Sequence, residues 1–306
     1  MKPSPLVIFL IISLIWGLTW IAIKIGVEAT PPFFFAAVRF IAAGGLLLAL
    51  LGTRVDWAGL RREWRAVLAV SMLMATFSYG PTFWGMQGTA SGLAAVVNMS
   101  MTPLTLFIIG VALGAERFER RKLAGVLIGI AGLVLLFWPE LQSGTHTEAL
   151  SLAALLTGTL VYCLGSVLSG RWLTGLHTAS LSGAVMLIGG VGLAVLSALF
   201  ERVTADTLRA LLEPAPLLSL AFLTLGGSIV AFTLFLYLLR VWGPTRAGLF
   251  AFVSPVVALV TGALALGERI DPLQGLGAAV LIGAAAFTVG RDALSARGAS
   301  RAKLAE

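Results

Sequence analysis

Ten times along this chain a stretch of roughly 20 apolar residues runs with no Asp or Glu in its middle third, and that recurrence constrains the fold more than any motif does. The stretches fall at residues 5–25, 32–52, 65–86, 89–113, 120–138, 149–170, 178–200, 215–239, 244–266 and 272–290. Inside hydrocarbon only a helix or a closed barrel can satisfy its own backbone, and a run of this length spans about 30 Å as a helix. Ten crossings use about 200 of the 306 residues, leaving short connectors and no room for a soluble catalytic module. Apolar runs continue to the end of the chain, which excludes a signal peptide followed by a globule. The expected fold is therefore an all-α integral membrane protein with ten transmembrane helices. The thinnest separation is between the third and fourth runs, where Gly85, Gln87, Gly88 and Thr89 mark the turn and a kinked re-entrant segment is the alternative.

The charge of +7 and pI near 10.3 invite a nucleic-acid reading, so the placement of the basic residues matters. With the N-terminus on one side, that side collects Lys2, Arg54, Arg61, Arg62, Arg65, Arg117, Arg120, Arg121, Lys122, Arg171, Arg240, Arg246, Arg291, Arg297, Arg301 and Lys303. The other side collects only Arg202, Arg209 and Arg269, with Lys24 and Arg39 at helix ends on that side. Basic loops stay in the cytoplasm, so both termini are expected there. The surplus is scattered over loops and forms no basic face interleaved with aromatics, which leaves lipid headgroups as its partner and excludes nucleic acid.

Offsetting the chain by 152 residues pairs Pro103 with Pro255, Gly110 with Gly262, Glu116 with Glu268, Arg117 with Arg269 and Gly125 with Gly277. Two uninterrupted apolar helices, each with a mid-span proline 13 residues before a Glu-Arg pair, mark an internal repeat. The repeats are residues 1–138 and 149–290, with a short non-cytoplasmic linker at 139–148 and a cytoplasmic basic tail at 291–306. Five is odd, so consecutive repeats of five helices must lie in the membrane with opposite topology. That is the plan of secondary transporters whose site sits between the halves near the midplane.

The run Trp16-Gly17-Leu18-Thr19-Trp20, the triplet Val38-Arg39-Phe40, and the paired Pro103…Glu116-Arg117 and Pro255…Glu268-Arg269 together resemble EamA-type members of the drug/metabolite transporter superfamily. The resemblance covers essentially the whole chain. It implies a ten-helix carrier of the bacterial inner membrane that alternates between inward- and outward-open forms and exports amino acids or related small metabolites, with other metabolites or drugs as the alternative cargo.

Polar groups are costly in a bilayer and face the bundle interior or a wet cavity. On the first run Ser13, Trp16, Gly17, Trp20 and Lys24 share a side; on the fourth, Ser91, Ala95, Asn98, Thr102 and Thr105; on the sixth, Thr159, Tyr162, Ser166 and Ser169; on the ninth, Ala247, Phe250, Ser254 and Thr261. Trp16, Trp20, Tyr79, Asn98, Thr102, Tyr162, Ser166, Phe250 and Ser254 are the expected cavity residues. The alternative for the hydroxyls is bonding to their own helix, and for Asn98 a bridge between helices. Pro103 and Pro255 each free a carbonyl one turn earlier and mark expected kinks. The first, third, fourth, sixth, eighth and ninth helices are expected around the cavity, with the fifth and tenth outside.

Among charges, Arg39 admits two readings: a bidentate clamp on a substrate carboxylate, or a pair with a nearby acid such as Glu28 or with helix-end carbonyls. Lys24 admits the same two. Glu116, Arg117, Glu268 and Arg269 are expected as ion pairs that are structural or close a gate. No run carries a central acid, and His146 and His177 both fall in loops, so a buried acidic or histidine proton relay is not expected. One cysteine, Cys163, gives neither a disulfide nor a metal cluster, and no HExxH, Walker loop or Ser-His-Asp set occurs. The sequence therefore implies no cofactor, no metal and no catalysis; a membrane enzyme or a channel is the less favoured class. Gly125-x-x-x-Gly129 and Ala279-x-x-x-Gly283 permit close helix contact within the bundle or in a homodimer, so a monomer or a dimer remains open.

Overall fold

A computed structural model describes residues 4–89, 91–138, 149–266 and 271–302, and among them every regular element is helical. The elements are α1 (Pro5–Ala29), α2 (Pro32–Leu51), α3 (Trp57–Arg62), α4 (Trp64–Ser71), α5 (Phe77–Gly85), α6 (Ser91–Ala112), α7 (Arg120–Leu136), α8 (Ala149–Trp172), α9 (Thr178–Phe200), α10 (Ala205–Leu212), α11 (Pro214–Phe222), α12 (Thr233–Trp242), α13 (Pro244–Gly248), α14 (Phe250–Leu266) and α15 (Pro272–Ala302). Prolines open α1, α2, α11 and α13, where the missing N–H costs nothing and the fixed φ suits a first turn. The start of α2 is also capped from a distance, because the Glu201 carboxylate accepts from the backbone N–H of Phe33 at 2.7 Å and of Phe34 at 2.8 Å. A negative charge there also complements the helix dipole.

Among the described residues six helical stretches are long and apolar enough to cross a membrane: Pro5–Ala29, Pro32–Arg54, Trp64–Gly85, Ala149–Trp172, Thr178–Phe200 and Pro214–Trp242. Val97–Ala112 and Pro272–Thr288 are apolar but shorter. Large apolar side chains such as Leu50, Phe200 and Leu218 point outward and stay uncovered, as lipid-facing residues do. The third run is helical to Gly85 and long enough to cross, with turn residues at Met86 and Gln87 before α6.

Two segments depart from the expected plain α-helices. Met72–Thr76, between α4 and α5, and Leu223–Phe232, between α11 and α12, are π-helical. They occupy matching places, since residues 72–76 shifted by 152 fall on 224–228. A π turn widens the backbone and redirects its carbonyls, and such turns recur at functional sites.

Helix contacts are reciprocal between the halves. α2 lies along α9 and α7 along α15, while α1 packs on α14 and α6 on α8. Each first helix also contacts the third crossing of the other half, α1 against the second π segment and α8 against α5. Glycines set the closest approach. A Cβ added to Gly190 would meet the backbone N of Ile41 at 2.7 Å, and one added to Gly44 would meet the backbone N of Leu187. The two approaches relate α9 to α2 by the same 146 positions.

The two small-residue spacings of the last helices differ in what they touch. Gly125 faces Thr288 of α15 and Gly129 faces Phe252 of α14, so this pair packs within the bundle. Ala279 and Gly283 are exposed, however, and Gly277 is the residue of α15 that presses on α7, at Leu136. Residues 139–148, Glu268 and Arg269 lie outside the described residues, and α15 continues helically through residues 291–302 of the expected tail.

Because the obstacle at Gly190 is backbone, Gly190→Leu cannot be relieved by a rotamer change. Overpacking of this kind costs roughly 1–3 kcal/mol. The variant is expected to melt lower than the parent in detergent, read by fluorescence-detected size exclusion after heating. Gly283→Leu, with nothing within 4 Å of its added Cβ, is expected to melt with the parent.

Candidate functional site

Helical spacing on α1 puts Trp16, Thr19, Trp20 and Ile23 on one face, and all four border a cavity of about 70 Å³ inside the bundle. Its other walls are Arg39 from α2, Ser78, Tyr79 and Thr82 from α5, Asn98, Met99 and Thr102 from α6, Tyr162 from α8 and Phe250 from α14. The space admits a few waters and no whole metabolite, so a ligand enters only as helices separate.

The second π segment supports one side. Trp16 Nε1 donates to Gly227 O at 3.1 Å, and Arg39 Nε donates to Ser228 Oγ at 2.9 Å. Next to Trp16, Gly17 lets α1 touch α14, since a Cβ there would lie 2.7 Å from Ser254 O. Ser254 Oγ donates to Ser13 O at 2.9 Å, tying the same two helices.

Aromatic rings form a continuous wall. Trp16 meets Phe250 edge-on with centroids 4.4 Å apart and lies 5.2 Å from Phe235; Phe235 stacks on Tyr162 at 5.8 Å; Tyr162 meets Tyr79 at 6.1 Å. Tyr79 in turn meets Phe40 at 4.6 Å. Tilted and edge-on pairs at these distances suit the ring quadrupoles. Arg39 sits among them, only 2% exposed, its guanidinium carbon 4.8 Å from the Phe40 centroid and 5.4 Å from that of Tyr79.

The expected cavity residues divide. Trp16, Trp20, Tyr79, Asn98, Thr102, Tyr162 and Phe250 come together around one space. Ser166 and Ser254 do not line it: Ser166 Oγ donates to Tyr162 O in its own helix, and Ser254 is the bridge to Ser13. Asn98 does both jobs, lining the cavity while its Nδ2 donates to Thr159 Oγ1 at 2.8 Å. Pro103 and Pro255 are buried within α6 and α14, each one residue beyond Thr102 or Ser254. Thr102 Oγ1 donates to Asn98 O, and Cys163 Sγ lies 3.7 Å from Thr102 O, so the carbonyls near Pro103 are partly occupied.

The second helix was not among the six expected around the cavity, yet it supplies Arg39, one of the two charged candidates. Glu28 is not its partner; Glu28 pairs with Lys24 at 3.4 Å. Lys24 also donates to the carbonyls of Met86 and Thr89 at the end of the third crossing, which makes it a clamp on a turn. Glu116 pairs with Lys122 at 2.9 Å and not with its neighbour Arg117, which is exposed. The other Glu116 oxygen accepts from the backbone N–H and the hydroxyl of Thr245, so one carboxylate ties the α6–α7 turn to α13 of the second half. Missed by spacing were Thr19, Ser78, Thr82 and Ser228. The polar residues one turn apart around Tyr79 were a usable signal for Ser78 and Thr82, and Gly226-Gly227-Ser228 inside an apolar run was one for the π segment.

A wider cleft of about 820 Å³ opens at the end of the helices that carries Glu28, Pro31, Trp84, Glu201 and Arg202. The Glu116 contacts lie at the opposite end, beside the start of α7.

The model of the EamA-like transporter family matches residues 4–138 and 149–290. A protein named "Uncharacterized inner membrane transporter YedA", from Escherichia coli (strain K12), is 34% identical over 273 residues, covering 88% of this chain and 85% of that one. One named a probable amino-acid metabolite efflux pump, also from Escherichia coli (strain K12), is 25% identical over 281 residues, covering 90% and 91%. A protein solved by crystallography superposes with a TM-score of 0.73 at 20% identity, covering 92% of this chain and 94% of its own, which shows a shared fold.

Removing the Glu116 carboxylate leaves the buried Lys122 with Glu119 alone and frees two donors of Thr245. A hydrogen bond to a charged group contributes roughly 1.5–3 kcal/mol. Glu116→Ala is expected to lower the melting temperature, and Lys122→Met in the same chain is expected to restore part of the loss. A thermal-melt double-mutant cycle checks both, and additive effects would mean that the two residues do not interact.

Proposed function

Because the chain belongs to the EamA-like transporter family, we propose that it is a multi-pass carrier of the bacterial inner membrane that exports small organic metabolites, amino acids first among them, by alternating access. The observation that carries this reading is the cavity itself. It is enclosed by helices from both halves, walled by aromatic rings and dotted with a few polar groups, which is the make-up of a small-molecule site. The reciprocal packing of α1 on α14 and α6 on α8, with π segments at matching places, supports two inverted five-helix repeats that can rock about the shared site. Ten crossings with both termini in the cytoplasm follow from that plan and from the basic loops. Each chain encloses its own pathway, whether it works as a monomer or a dimer.

In this orientation the wide cleft opens outward and the Glu116 contacts close the cytoplasmic side. Glu116 then serves as a latch, because separating α13 from the α6–α7 turn requires its bonds to Thr245 to break. Among the described residues no acid lines the cavity, and in this reading substrate movement does not depend on protonation of a central carboxylate. The amino-acid preference is supported by the aromatic wall, by the cationic Arg39 and by the name of one relative.

Proteoliposomes holding the purified chain are expected to give saturable flux of at least one member of a labelled amino-acid panel. Trp20→Ala and Asn98→Ala are each expected to cut that flux about tenfold or more, about the loss of one good contact, while Trp20→Phe retains most of it. Wild-type protein that is folded yet passes no amino acid would reject the amino-acid preference, and unaltered flux in both alanine variants would reject this cavity as the site.

A further inference from the structure

A cation buried in hydrocarbon normally has a carboxylate or a full set of carbonyls around it, because the cost of stripping its water must be repaid. Arg39 has neither. Among the described residues its Nε donates to a neutral serine, no carboxylate lies within ion-pair distance, and Nη1 is buried with no partner. The rings of Phe40, Tyr79 and Phe83 offer their faces, which stabilises a cation only modestly. The Tyr162 hydroxyl is a second buried group without a partner, and it borders the same cavity. The cavity thus presents one fixed positive charge and an idle hydroxyl, with no acid among its lining residues.

The fold itself does not call for that charge. The approaches of Gly190 to Ile41 and of Gly44 to Leu187 relate α9 to α2 by 146 positions, which places Val185 where α2 has Arg39. Val185 is fully buried, so the second half packs the corresponding place with an aliphatic side chain. A guanidinium in the first half is an addition to the duplicated scaffold.

We propose that Arg39 is the substrate-recognition residue of this cavity and that the chain selects organic carboxylates with an apolar or aromatic body, holding the carboxylate on the Arg39 fork and the Tyr162 hydroxyl. The inference rests on the reading of the cavity as the transport site and narrows its substrate class. An amino group contributes nothing essential, because no lining residue is acidic and the remaining acceptors are the Asn98 amide oxygen, hydroxyls and backbone carbonyls. Amino acids are accepted through their carboxylate, and their deaminated counterparts are accepted as well or better. The aromatic wall from Trp16 to Tyr79 covers the body of the ligand, and the planar guanidinium matches two carboxylate oxygens at once.

Four probes of similar shape separate the groups: phenylalanine, 3-phenylpropionate, phenylalaninamide and 2-phenylethylamine. Binding is read as thermal stabilisation of the purified full chain in detergent, and flux as competition and uptake in proteoliposomes. The wild type is expected to bind 3-phenylpropionate at least as tightly as phenylalanine, and the amide and the amine at least tenfold more weakly. Arg39→Gln is expected to lose that discrimination, with apparent affinity for 3-phenylpropionate down at least tenfold. Arg39→Lys is expected to keep the preference for a carboxylate with weaker affinity, since it keeps the charge and loses the fork. Equal binding of amine and carboxylate by the wild type would overturn the proposal, as would a folded Arg39→Gln that still prefers the carboxylate. If Arg39→Gln does not fold, the wild-type ranking and the lysine variant decide. Carboxylate binding without flux of any probe would leave the anion site standing and reject the transport reading; no binding of any probe would reject both.

Discussion

A chain inside hydrocarbon has no water with which to complete its hydrogen bonds, and this constraint shapes every level of the structure. It makes the crossings helical. It sends serines and threonines back onto their own helices, as Ser13, Thr82 and Ser166 do, or across to a neighbour, as Ser254 and Thr76 do. It allows α2 and α9 to approach through Gly44 and Gly190, where close backbone contact takes the place of the hydrophobic drive that lipid removes. Against that background, polar atoms left unpaired beside a cavity are the exceptions, and Arg39 and Tyr162 stand out for that reason.

The two π segments connect this economy to the cavity. A wider turn gives up the regular α ladder, and the groups it redirects find partners on other helices. Gly227 O holds the Trp16 indole and Ser228 Oγ holds Arg39, while Thr76 in the matching segment donates to Gly189 O of α9. The π segment of each half thus hydrogen-bonds to a helix of the opposite half. A site assembled this way changes shape when the halves move relative to each other, because its walls belong to both. At the far end Glu116 reaches from one half to the Thr245 backbone and hydroxyl of the other, so the same relative motion would make or break that contact.

How much of this was visible in the residues follows from what each signal measures. Hydropathy reports the solvent around a helix, so the helical class, six of the apolar spans, the inward polar faces and most of the cavity rings were legible. The paired prolines and Glu-Arg ends were the sequence's argument for duplication. Partner choice was not legible, because it depends on three-dimensional register: Arg39 lies near Glu28 in sequence yet reaches Ser228, and Glu116 sits beside Arg117 yet binds Lys122 and Thr245. The same limit hid the difference between Ser254, a bridge, and Thr102, a cavity residue, though they occupy equivalent positions before their prolines. The π segments escaped notice because the periodicity of apolar residues hardly changes over five to ten positions.

The central claim is that one cavity between the halves is reached from both sides of the membrane but never opens a continuous path. Met99 lines it, and the single cysteine, Cys163, is buried and can be replaced by alanine to give a silent background. A membrane-impermeant thiol reagent applied to Met99→Cys in oriented vesicles, from one face and then the other, tests the claim most directly. The account predicts labelling from each face, slowed by bound substrate, with no reagent passing into the vesicle lumen. Labelling from neither face, or passage of the reagent through the protein, would contradict it.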